Sequence, residues 1–103
     1  MKRTALRSRP KPHKDPVKPE LYFYVMGRDG GCIGPRMGME RACFGRLELD
    51  HLYNGGVGKR GPSTARNLST LCGVHHYQKT VEARRWRPVI NAYLSRLEDE
   101  SPW

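Results

Sequence analysis

Three cysteines, Cys32, Cys43 and Cys72, limit what this chain can become more than any other feature. An odd number cannot close into disulfides without one left over, and a reducing cytosol favours free thiols or metal ligation. The chain around them has 103 residues, enough for one domain and too few for two. Its mean hydropathy of -0.76 is polar for that length, so its core is expected to be small. Such a core calls for reinforcement by a metal or a partner.

Lys and Arg total 19 against 10 acidic residues, a formal charge of +9 with a pI of 10.0. That balance suits a polyanion, and nucleic acid is the first candidate partner, although basic small proteins also serve other ends. No apolar run approaches the roughly 20 residues that span a bilayer. The opening MKRTALRSRPKPHKD has no apolar stretch like that of a signal peptide, so a soluble, cytoplasmic protein is expected.

Residues 1–20 carry four prolines and seven Lys or Arg residues with almost no apolar periodicity, which predicts a flexible basic arm. A folded domain is expected over 21–98 and a short tail over 99–103. LYFYVM (21–26) is aromatic and β-branched enough for a short strand or a hydrophobic plug, followed by the turn signal RDGG. Cys32 and Cys43 bracket a loop containing Gly34, Pro35 and Gly38. Leu47, Leu49 and His51 then alternate with Arg46, Glu48 and Asp50, predicting a strand over about 46–52.

Residues 54–66 hold four glycines and three basic residues, a loop whose backbone can come close to phosphate. NLSTLC (67–72) reads as a second strand, and GVHHYQKTVEARR starts a helix with His75 and His76 in its first turn. Trp86, Val89, Ile90, Tyr93, Leu94 and Leu97 recur at steps of three and four, an amphipathic closing helix with Pro88 near its start. A stripe of this kind is core far more often than partner site. The order predicts a small α+β domain.

Asp50, His51, Asn67, His75 and His76 come from a strand end, a second strand and a helix start, elements able to converge. Hydrolysis of a phosphodiester needs a base for water, a cation to neutralise charge, and groups that hold both in line. Asp50, His51 and His76 are residues of those types. An isolated His in an arbitrary sequence more often packs in a core or faces solvent. Asp50 and His51, as neighbours on a strand, share a site only where the strand ends or distorts.

Taken in order, LELDHL, then NL, LC, HH and a Lys three residues later, the pattern resembles the HNH endonuclease family. It covers about residues 28–79, half of the chain, and the wider layout is similar to short free-standing HNH proteins of bacteriophages. The resemblance implies a ββα-metal (His-Me finger) core and hydrolysis of DNA, by nicking or double-strand cleavage. It makes His51 the general base, Asp50 and His76 ligands of the catalytic cation, and Asn67 the residue that fixes the loop or assists the metal. Lys59, Arg60, Arg66 and Lys79 would lie near phosphate. Many members carry a further His where Thr80 stands here. A carboxylate, one imidazole and waters suit magnesium or manganese, with nickel or cobalt able to substitute.

Cys32, Cys43, Cys72 and His75 form a three-sulfur, one-nitrogen set that tetrahedral zinc accepts, the last two at the spacing of a knuckle. Three ordinary buried thiols are the other reading. His75 and His76 are adjacent, and sequence leaves open which of them serves which site. The family resemblance also implies work on viral DNA beside a phage terminase, in the host cytoplasm. Two alternatives remain: a catalytically inactive zinc-stabilised nucleic-acid-binding module, and a homing or restriction nuclease, which would normally carry a further specificity domain.

Overall fold

The computed structural model describes residues 15–53 and 61–98. Most of the expected basic arm, Lys59 and Arg60 of the glycine-rich loop, and the tail at 99–103 lie outside the described residues.

The segment 21–26 is helical, contrary to the strand or plug expected there. Helix α1 runs Pro19–Asp29, so the end of the arm is already helix. Pro19 sits in the first turn, where its missing N–H has no partner to lose. Glu20 in the first turn and Arg28 in the last complement the helix dipole. Gly30, at φ 67, ends the helix by donating its N–H to the Met26 carbonyl at 2.9 Å. The four-residue step between buried Leu21 and Val25 outweighs the modest strand preference of the aromatics. Tyr22 and Phe23 remain exposed, edge to face.

Strands β1 (Leu47–His51) and β2 (Leu68–Cys72) pair antiparallel, with Leu47 opposite Cys72 and His51 opposite Leu68. Asn67 belongs to the 3-10 turn Ala65–Asn67 that precedes β2 rather than to the strand. Every residue of β2 is buried. Its outer edge is covered: Thr70 N–H donates to Asp29 Oδ2 at 2.8 Å, and Thr70 O accepts from Ile33 N–H at 3.0 Å. In β1 burial does not follow the alternation: Leu47 and Glu48 are exposed, and Leu49 packs partly against residues of α1. Leu47 is 45% exposed and Asp50 only 6%, because the Glu48–Asp50 side meets polar partners on the helix that follows β2.

The loop bracketed by Cys32 and Cys43 contains a short helix, α2 (Gly34–Met37). Helix α3 (Gly73–Val81) starts directly from β2, and the chain breaks at Glu82 (φ -119, ψ 44) before α4 (Ala83–Leu97). Pro88 lies inside α4 and not near its start, so the Arg84 carbonyl receives no helical N–H from it. Trp86, Ile90, Tyr93 and Leu94 of α4 bury against Ile33, Met39, Leu52 and Leu71, whereas Val89 is 38% exposed. Leu21, Val25, Ala65 and Leu68 make a smaller second cluster. Leu68 and Leu71 point to opposite sides of β2, so α1 and α4 cover the two faces of the sheet.

A polar hub joins these layers. Asp29, 3% exposed, accepts from Arg28 Nε at 2.9 Å, Tyr93 Oη at 2.5 Å and the Thr70 amide. Arg28 also donates to the carbonyls of Ala65 and Leu68, at 2.8 and 2.7 Å. The result is a small α+β domain with a two-stranded sheet and C-terminal helices. No described helix is long and apolar enough to cross a membrane.

Candidate metal centre and the neighbouring cleft

Cys32, just after α1, Cys43, just before β1, Cys72, at the end of β2, and His75, in the first turn of α3, converge. One ligand atom from each lies within 4.8 Å of all the others. His75 Nδ1 is 3.2 Å from Cys32 Sγ, 3.4 Å from Cys72 Sγ and 3.6 Å from Cys43 Sγ. A tetrahedron with zinc–sulfur and zinc–nitrogen bonds of ordinary length has nitrogen–sulfur edges of about 3.5 Å, so the set fits zinc. Among the described residues, this is the single group of three or more such ligands that converges.

The surroundings prepare these atoms as ligands. His75 Nε2 lies 2.7 Å from the Arg41 carbonyl, so Nε2 carries the proton and Nδ1 keeps its lone pair for a metal. The amides of Gly34 and His75 donate to the sulfurs of Cys32 and Cys72, at 3.3 and 3.5 Å. Burial pushes the Cys72 thiol up, but the His75 and Phe44 amides and its other neighbours bring it down to about 7. Partial desolvation, then the adjoining Cys32 sulfur, raise Cys43 to about 11. Three thiolates therefore need a cation between them. Cys72 is buried, Cys32 half-buried and Cys43 exposed, so these are not three ordinary core thiols. The Cys3His set is able to chelate a metal ion, and its sulfur-rich chemistry is that of a structural zinc site, not of a magnesium or manganese site.

One residue further along α3, His76 turns the other way. Its Nε2 lies 3.0 Å from Asp50 Oδ1 and its Nδ1 2.5 Å from Glu48 Oε1. The hydrogen bond to Asp50, opposed by burial and aided by Glu48, raises its pKa to about 9. His75 and His76 are thus divided between two places, which the sequence had left open. Lys79 Nζ approaches Asp50 Oδ2 to 2.8 Å, but its aligned hydrogen bond goes to the His51 carbonyl at 3.0 Å. Asp50 Oδ2 is left buried without an aligned donor.

Asp50, His51, His76, Lys79, Thr80 and Arg87 line one cleft of about 350 Å³, together with Val17 and Leu49. Asp50 and His51 both reach it because β1 ends at His51 and, among the described residues, is paired on one side only. His51 Nε2 is 3.1 Å from Ser63 Oγ, and Ser63 Oγ donates to the Asp15 carbonyl at 2.5 Å. That hydroxyl has spent its hydrogen, so it accepts from His51 Nε2–H.

Asn67 accepts from Tyr53 N–H at 3.0 Å and donates to the carbonyls of Tyr53 and Pro62, at 3.1 and 3.0 Å. It fastens the two ends of the glycine-rich loop. A Cβ at Gly61 would stand 1.9 Å from the Tyr53 carbonyl oxygen, so only glycine fits beside that fastening. Arg66 is held by Asn91, Ser95 and Glu98 on α4 and its side of the chain, and the Lys79 side chain is 4% exposed. Thr80 donates its hydroxyl to the His76 carbonyl.

Sequence reasoning did not single out Glu48, Ser63, Asp15 or Arg87. Glu48 stands two residues from Asp50 on the same face of β1, a signal that was there to read; the others carry no local pattern. Comparisons with family models, with curated proteins and with solved structures return no match.

Proposed function

We propose that this domain binds nucleic acid on a zinc-stabilised scaffold and that the cleft at the end of β1 makes it a metal-dependent DNA endonuclease of the HNH type. The observation that carries this reading is that Asp50, His51 and His76, drawn from β1 and α3, line one cleft. In this reading His51 is the base that takes a proton from water, its ring held by Ser63, which Asp15 holds in turn. Asp50 Oδ2, buried without an aligned donor, and His76 would hold a divalent cation, with Lys79 steadying the carboxylate. Magnesium or manganese, when bound there, supplies neutralisation of charge on the phosphate and the leaving oxygen. Asn67 keeps the loop ends together beside the base. The resemblance to phage HNH proteins extends the proposal to processing or packaging of viral DNA beside a terminase, in the host cytoplasm.

A second reading, a nucleic-acid-binding module without hydrolysis, has support of its own. The Cys3His cluster needs no catalysis to explain it, and His76 is bonded to both Asp50 and Glu48 instead of facing one point with them. Zinc-loaded protein incubated with supercoiled plasmid, with and without magnesium or manganese and beside His51→Ala, separates the two. Metal-dependent cutting by wild type, reduced at least a hundredfold in His51→Ala, is the expected result. Intact plasmid across all metals, with the DNA still retarded in a gel, gives the domain to the second reading.

A further inference from the structure

Arg87, on α4, lines the cleft beside His51, His76 and Lys79. Its Nε is buried and has no hydrogen-bond partner among the described residues. A desolvated guanidinium N–H without an internal acceptor is unfavourable, so nothing inside the fold holds this group and it can turn to meet an acceptor that enters the cleft.

Lys79, the other Lys or Arg residue lining the cleft, is engaged, as are two arginines outside it. Lys79 is held by Asp50 and the His51 carbonyl, Arg66 by Asn91 and Glu98, and Arg85 by Glu40, with its guanidinium 4.4 Å from the Trp86 ring centroid. The cleft's carboxylate, Asp50, is met by Lys79 and His76, and Glu48 at its rim by His76. Among the described residues, Arg87 is the cleft-lining cation that no carboxylate meets.

We infer that Arg87 is a phosphate-binding residue, its guanidinium placed to take a non-bridging oxygen of a nucleic-acid phosphodiester lying across the cleft. A guanidinium suits this use because it is permanently charged and presents paired donors matched to phosphate oxygens. The role belongs to α4, outside the stretch that carries the HNH resemblance. The inference rests on the nucleic-acid reading above, but does not need hydrolysis.

The test uses the full zinc-loaded chain and a short DNA duplex, without catalytic metal. Affinity is followed as salt is raised, for wild type, Arg87→Gln and Arg87→Lys, with far-UV circular dichroism and zinc content confirming the fold. Arg87→Gln is expected to weaken binding about tenfold and to lower the slope of log K against log salt by about one. Arg87→Lys is expected to restore the slope and only part of the affinity. In wild type, the Arg87 Nε–Hε resonance should move on adding duplex, a readout that needs no variant to fold. A folded Arg87→Gln with wild-type affinity and slope overturns the assignment and leaves DNA binding standing. Failure of wild type to bind any duplex overturns both. A resonance that responds to inorganic phosphate and ignores duplex overturns it in favour of an anion site unrelated to nucleic acid.

Discussion

Asp29 takes hydrogen bonds from three directions at the point where α1, β2 and α4 meet: Arg28 from its own helix, Thr70 from the sheet and Tyr93 from the closing helix. A buried carboxylate is tolerated only when so many donors replace the water it has lost. Tyr93 shares the consequence. Burial, and then the bond to Asp29, raise its phenol above the ordinary value near 10. The folded protein therefore holds that proton more tightly than the unfolded chain does. The resulting stability is complete below pH 10 and is lost as pH climbs from 10 through the raised value. Urea denaturation at pH 9 and pH 11 should show a fall for wild type that is smaller in Tyr93→Phe; equal falls would mean that the Tyr93–Asp29 bond is not what titrates.

At the level of elements, the zinc set depends on a close approach between α2 and α3. A Cβ on Gly34 would lie 2.4 Å from His75 Nδ1 and 2.6 Å from its Cγ, so no larger residue fits without turning the ring. Gly34→Ala is expected to lower zinc affinity by about 10–100-fold, the range seen when a ligand's support is disturbed. Competition against a chromogenic chelator measures it, and an unchanged affinity would show that the ring has room to move. Much at this scale was legible in the sequence. The alternation around Asp50, the NLSTLC run and the three-and-four stripe after Trp86 each named their element. Helix α1 was missed because Tyr22, Phe23 and Tyr24 carry a strand-like composition, while its helical signal is a pair of apolar residues and its two ends. The burial of Asp50 was not legible because it is covered through Lys79 and His76, partners that a strand pattern does not contain. Arg87 had no pattern at all; its standing comes from what its neighbours on three other elements are doing.

Across the molecule, the buried apolar core of the described residues lies in two clusters on opposite faces of a two-stranded sheet, and neither is large. Cys32, Cys43, Cys72 and His75 fasten the segments between and beside them. Treatment with a strong zinc chelator should therefore remove most of the cooperative thermal transition followed by circular dichroism, and added zinc should restore it. A melting curve unchanged by full removal of the metal would mean that the apolar clusters suffice alone. The spacing of the ligands adds something that contacts in the folded state do not describe. Cys72 and His75 are three residues apart, but Cys32 and His75 are separated by 43. An ion joining the distant pair closes a long loop, and a cross-link of that span restricts the unfolded chain by on the order of 4 kcal/mol in the chain-entropy view. Part of what keeps so polar a chain folded then lies in the disorder it is denied when it unfolds.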